Sequence, residues 1–189
     1  MTTTPHYWDT AITHLSERDP TLGELIVRAR GTQLTLRSDA FVALARAIVG
    51  QQISVKAAQS VWERLIGSME IFAPEHLAVI DPVTLASAGL SRQKASYLLD
   101  LAGRFHSGAL DPLSWPAMAD EDIIEDLVRV KGIGRWTAEM FLMFHLQRPD
   151  VLPVADVGLQ RAMSLHYNRG KPLTEKRLRK LAKPWAPYR

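Results

Sequence analysis

The chain has 189 residues, 47% of them hydrophobic and 23% charged, and a formal net charge of only +3. That is the profile of one globular domain, or of two small lobes sharing a core. It has no cysteine, which excludes a disulfide framework, thiolate chemistry and a thiolate-held zinc or iron–sulfur cluster.

No apolar run approaches the roughly 18 residues needed to span a membrane. The opening Met-Thr-Thr-Thr-Pro-His lacks the basic and apolar parts of a signal peptide. An intracellular protein with no membrane partner is therefore expected, cytoplasmic and nucleoid-associated if the source is bacterial.

From Trp8 to Arg30 the apolar positions Ile12, Leu15, Leu22, Leu25 and Ile26 predict two short helices, divided at Asp19-Pro20, with Pro20 suited to a helix start. Thr32–Arg37 alternates polar and apolar residues and is expected to be extended, though too short to build a sheet. Ser38 or Asp39 is a good N-cap for a helix over Phe41–Val49. That helix stops at Gly50-Gln51-Gln52-Ile53. Ser54 caps the next, whose Ala57, Ala58, Val61, Trp62, Leu65 and Ile66 form a broad apolar stripe.

Pro74, Asp81-Pro82 and Gly89 punctuate shorter helical segments. Ser91 opens a helix carrying Ala95, Leu98, Leu99, Ala102 and Phe105, and Asp120 is expected to cap Ile123–Val128. A helix over Thr137–Leu146, a Pro149–Ala155 loop and a helix from Val157 follow. Thr174 caps a final basic helix. The fold class is all-α. Charge is uneven: Val157–Arg189 holds nine Lys or Arg and one acid, whereas the first 156 residues hold 14 bases and 19 acids. A basic tail on a mildly acidic body suits a polyanion, and equally a solvated helix face.

The most informative stretch is Val130–Ala138, Val-Lys-Gly-Ile-Gly-Arg-Trp-Thr-Ala. Gly132 and Gly134 permit positive φ and a close backbone approach. A helix beginning just after them offers N–H groups and a positive dipole end, to which a phosphate is the natural guest. Lys131 and Arg135 flank the turn and add charge. A tight helix–helix turn, with one glycine for each awkward dihedral, accounts for the pattern equally well. Further on, Asp156 precedes Val157-Gly-Leu-Gln-Arg161, the signature of a helix N-cap. A cap uses one carboxylate oxygen and leaves the other to act.

These residues resemble the helix–hairpin–helix of the DNA glycosylase superfamily, whose hairpin has the form Leu/Val-x-Gly-Ile/Val-Gly followed by x-x-Thr-Ala. The match continues at Leu152-Pro-Val-Ala-Asp-Val-Gly-Leu-Gln-Arg161, with Asp156 eighteen residues beyond Ala138. The likeness covers roughly Ser38 to Tyr188 and is strongest to the alkylation-repair branch, the 3-methyladenine DNA glycosylase II type.

The resemblance implies a two-lobed all-α fold with the active-site cleft between the lobes. Residues 40–148 would form a central lobe carrying the hairpin, and 1–39 with 149–189 a terminal lobe. It implies a monofunctional hydrolase of the N-glycosidic bond of alkylated purines such as 3-methyladenine and 7-methylguanine, in base excision repair. Asp156 matches the catalytic carboxylate. Trp136 stands where members that also cleave the backbone carry a Schiff-base lysine, and it forms the base pocket with Met140.

Lys131, Gly132, Ile133, Gly134, Arg135 and Thr137 would make the DNA-binding hairpin. Gln52, with Ile53 beside it, matches the wedge that fills the gap left by a flipped base. The resemblance implies a further aromatic-rich helix past Trp185–Arg189, so two alternatives stand: the sequence is a shortened piece, or the pocket is finished otherwise, by Tyr7 and Trp8. The expected partner is double-stranded DNA with alkylated bases, met by a monomer. No cofactor is required, but the resemblance implies a structural monovalent cation at the main-chain carbonyls of Val128, Val130 and Ile133. Two other readings stay open: a non-catalytic helix–hairpin–helix DNA-binding module, and a glycosylase for deaminated or oxidised bases on the same fold.

Overall fold

The structure is a computed structural model in which residues 4–34 and 39–189 are described. All regular structure among them is helical. Contacts gather the chain into two compact units, Met1–Arg37 with Leu142–Arg189, and Ser38–Phe141.

The first unit begins with α1 (Trp8–Arg18) and α2 (Pro20–Arg28), which pack on each other. Pro20 occupies the start of α2, and the Asp19 side chain accepts from the N–H groups of Thr21 and Leu22. A missing donor at the first position costs nothing in a helix whose first turn has spare N–H groups, while the carboxylate satisfies two that remain. The unit is completed by α10 (Val157–Tyr167), α11 (Glu175–Leu181) and a 3₁₀ turn, Lys183–Trp185. Val154, Met163, Leu178, Ala182 and Trp185 form its core, with Leu15 and Leu22 against them. Asp19 also ties the ends of this unit together: its Oδ2 accepts from Tyr167 Oη and from Trp185 Nε1, both at 2.8 Å.

The second unit holds α3 (Ala40–Gly50), α4 (Val55–Gly67), α5 (Pro74–Ala78), α6 (Pro82–Ser87), α7 (Arg92–His106), a 3₁₀ turn at Trp115–Ala117 and α8 (Asp120–Val128). α7 is its spine and packs against α3, α5 and α6. Leu44, Ile48, Leu98, Leu101, Ile123 and Leu127 are fully buried. Phe41, Phe105, Trp115 and Phe141 continue that core as a run of edge-to-face rings at 5.3–6.2 Å, a geometry that sets positive ring edges on negative faces. α9 (Arg135–Phe144) follows the hairpin, and the boundary between the units falls within it.

Side-chain caps sit at Asp39, Ser54, Ser91, Asp156 and Thr174, as the sequence pattern predicts. Asp120 departs from it. The cap of α8 is Ala119, and Asp120 is the first of three acids in the first turn. A carboxylate there is favoured by the helix dipole without filling the cap. α9 starts two residues earlier than expected and ends two earlier. Residues 35–37 of the expected extended stretch, and Ser38, lie outside the described residues; Thr32–Leu34 adopt no regular structure.

Candidate active site and nucleic-acid interface

The hairpin is built on α7. The N–H of Lys131 donates to Asp100 Oδ2 at 2.9 Å, and Arg104 Nε donates to the same oxygen at 3.0 Å. Burial opposes ionisation of Asp100, but these two donors and their charges outweigh it and hold the carboxyl below its usual range. Gly132 has φ +81, and a Cβ there would fall inside the Tyr97 ring. Both requirements, a left-handed backbone and bare Cα hydrogens against an aromatic face, single out glycine. Gly134 answers to neither: its φ is ordinary and a Cβ would meet open space. The expectation of two strained glycines is thus corrected to one. Gly134 gives its carbonyl to Ala138 N–H at 3.1 Å and so starts α9 with no side chain at the cap. Ile133 is buried, and its N–H bonds the Val130 carbonyl at 3.1 Å.

Lys131 is exposed. Arg135, the second flanking cation, is engaged within its own unit. It meets Glu121 through two parallel bonds of 2.9 and 2.6 Å, and Glu139 at 3.1 Å. Bonding to Glu121 outweighs burial and raises the guanidinium pKa further above its ordinary value. Glu139 is 6% exposed, so Arg135 supplies the charge that lets a carboxylate lie in that interior. Thr137 is also buried. Trp136 is not part of the core: it is 46% exposed. Met140, four residues on and half-buried, shares its face of α9.

The loop from Gln51 to Ser54 carries the residues matched to the wedge. Gln52 has φ +57, a left-handed conformation that costs a residue with a Cβ about 1–2 kcal/mol. Its side chain and that of Ile53 are exposed. The loop is braced from two sides. Lys94 Nζ donates to the carbonyls of Val49 and Gln51, both at 2.7 Å, and Gln51 Nε2 donates to the Gly132 carbonyl at 2.8 Å. Burial lowers the Lys94 pKa.

In the other unit, Asp156 caps α10. Its Oδ1 accepts from Leu159 N–H at 2.7 Å, and its own N–H bonds the Pro153 carbonyl at 2.9 Å. Gln160 steadies the same turn through the Val154 carbonyl. Gly158 is the residue that sequence reasoning passed over: a Cβ there would lie 3.0 Å from Asp156 Oδ1. The Pro149–Ala155 loop that delivers Asp156 is anchored at Asp150, whose carboxylate meets Arg189 through bonds of 2.6 and 2.9 Å. That pairing holds Asp150 below the usual carboxylate range. Tyr7 donates to the Gln147 carbonyl at 2.8 Å and stacks on Tyr188.

Among the described residues no group of three His, Cys, Asp or Glu side chains could hold a metal ion, and no helix is long and apolar enough to cross a membrane. The Val130 carbonyl accepts from Ile133 N–H at 3.1 Å.

Comparison with known proteins gives these features a common context. Residues 45–187 match the family described as HhH-GPD superfamily base excision DNA repair protein. A DNA-3-methyladenine glycosylase of Saccharomyces cerevisiae is 36% identical over 89% of this chain, which spans 62% of that protein's length. The crystal structure of a DNA-3-methyladenine glycosidase from Bacillus halodurans superposes with a TM-score of 0.86 at 34% identity, over 100% of this chain and 87% of that one. A 3-methyladenine DNA glycosylase of Schizosaccharomyces pombe, in complex with abasic DNA, gives 0.78 at 28% identity, over 95% and 90%. The helical fold, the glycine hairpin and the capping aspartate thus have one explanation: the chain belongs to the HhH-GPD superfamily of base excision DNA repair proteins.

Proposed function

We propose that the chain is a monofunctional DNA glycosylase that, as a monomer, hydrolyses the N-glycosidic bond of alkylated purines in duplex DNA. The observation that carries this reading is Asp156. Its carboxylate is fixed by a backbone N–H at a helix start, so its charge is oriented before any substrate arrives. As the base departs, positive charge builds on the deoxyribose, and an oriented carboxylate stabilises it without reorganising. The same group can orient, or take a proton from, the attacking water. N-alkylation makes the purine cationic and already a good leaving group, so no strong general acid is needed.

The exposed indole of Trp136 supplies a face for such a base through cation–π attraction. It offers no amine, and so no Schiff base with the sugar. Gln52 and Ile53 fill the gap left by the extruded nucleotide, whose unstacking costs a few kcal/mol. Lys131 and the backbone of Gly132–Gly134 take a phosphate, assisted by a monovalent cation at the carbonyls of Val128, Val130 and Ile133. Arg135, matched by two carboxylates, shapes the hairpin.

The test is single-turnover release of base from methylated duplex DNA, wild type against Asp156→Asn. Asparagine caps a helix about as well as aspartate, so folding should be unchanged while release falls by about a hundredfold or more. Equal release by both proteins would remove Asp156 from catalysis. No release by either, with DNA binding intact, would leave a binding module.

A further inference from the structure

Successive turns of α7 carry Lys94, Tyr97 and Asp100, three residues apart, on a strip that winds through about 120° around the helix. Each holds a different part of the proposed DNA-binding surface. Lys94 bonds the Val49 and Gln51 carbonyls on the near side of Gln52. Tyr97 lies under Gly132. Asp100 takes the Lys131 N–H. Gln51 closes the frame, joining the loop to the hairpin through the Gly132 carbonyl.

Gln52 itself is left-handed, at φ +57, and such a conformation persists in a residue with a Cβ only where the surroundings dictate it. Downstream the dictating contact is the Ser54 cap of α4. Upstream it is the ammonium of Lys94, placed where the end of α3 leaves carbonyls without helical partners.

We infer that Lys94 and Gln51 are positioning residues that hold Gln52 in its left-handed conformation and fix the wedge loop to the hairpin, so that gripping the phosphate and inserting the wedge are done by one rigid body. The inference rests on the glycosylase reading, with Gln52 as the wedge. Neither residue need touch the target base. A wedge carried on a loose loop would pay its ordering entropy at the moment of base extrusion; braced through Lys94 and Gln51, it pays on folding.

The test is a double-mutant cycle on two readouts, both at saturating protein so that affinity does not enter. One is the fluorescence of 2-aminopurine placed beside the lesion, which rises as the stack opens. The other is single-turnover base release. Lys94→Met should lower both by about tenfold, and Lys94→Arg should recover most of the loss. Because Lys94 acts through Gln52, adding Lys94→Met to Gln52→Ala should cost less than about twofold more.

A full tenfold loss in the Gln52→Ala background would mean that Lys94 supports the fold at large, and would overturn the inference. Gln51→Ala removes one bond and leaves every helix intact. It should show a smaller loss with the same dependence on Gln52, and it decides the matter if Lys94→Met melts early. A wild type that opens the stack but releases no base would overturn the glycosylase reading alone, because the unstacking cycle reads the brace without any chemistry.

Discussion

α9 and α10 begin in opposite ways. Both take the carbonyl of their cap residue into the first turn. α10 is capped by Asp156, whose carboxylate turns back onto Leu159 N–H. α9 is started by Gly134, which has no side chain to turn back, and beside which a Cβ would find open space. A helix start filled by its own carboxylate carries a fixed negative charge and repels a phosphate. One left to the backbone keeps its dipole available to an anion from outside. On the proposed reading, the start of α10 is suited to stabilising a cationic sugar and the start of α9 to holding a phosphate.

The sharpest way to break this contrast is to make α9 begin like α10. Gly134→Asp introduces a good cap where nothing obstructs it, so thermal stability should hold or rise slightly. A phosphate approaching that turn would then meet a carboxylate. Duplex DNA affinity should fall by about a hundredfold, since opposing like charges across an interface costs several kcal/mol. Binding unaffected by the substitution would show that the phosphate lies elsewhere.

A second comparison separates the two cations that flank the turn. Lys131 is exposed, whereas Arg135 is shared between Glu121 and the buried Glu139. Lys131→Gln should flatten the dependence of log affinity on log salt by about one, as the loss of one phosphate contact does, and leave the melting temperature nearly unchanged. Arg135→Gln should hardly alter the salt slope. It should instead lower the melting temperature by a few degrees, because the half-exposed guanidinium pairs with the buried Glu139 carboxylate. Equal changes of slope in the two variants would place both cations on the DNA.

These distinctions mark where sequence reading stops. Caps at Ser54, Ser91, Thr174 and Asp156 are legible because a cap is a local affair: one side chain, and an N–H two or three residues on. The three consecutive acids at Asp120 defeat the same rule, since each satisfies the dipole and only the backbone decides where the helix starts. What lies far along the chain is not legible at all. Nothing local to Arg135 announces Glu121, fourteen residues away, nor does Asp19 announce Tyr167 and Trp185, 148 and 166 residues on. Gln52 shows the same limit from the other side. Its left-handed φ belongs by preference to glycine or asparagine, and the loop that carries it is bonded by Lys94 from another helix. The hairpin glycines were legible as a pair but not individually, because telling Gly132 from Gly134 requires the Tyr97 ring.

The finest test of the contrast bears on Gly158, in the first turn of α10. In a helix, alanine is favoured over glycine by up to about 1 kcal/mol, and less near an end. Gly158→Ala would on that ground stabilise α10. The added Cβ would stand 3.0 Å from Asp156 Oδ1, close enough that the carboxylate must give way by a few tenths of an ångström. The two effects act on different observables. The melting temperature should stay level or rise by a degree or two, about 0.5 kcal/mol in a chain of this size, while single-turnover base release falls several-fold. A loss of stability without a loss of rate would mean that the crowding is relieved by the helix backbone and that the carboxylate keeps its place. A loss of rate without a loss of stability would show that Gly158 serves the charge rather than the helix, as Gly134 does at the start of α9 by the absence of a charge.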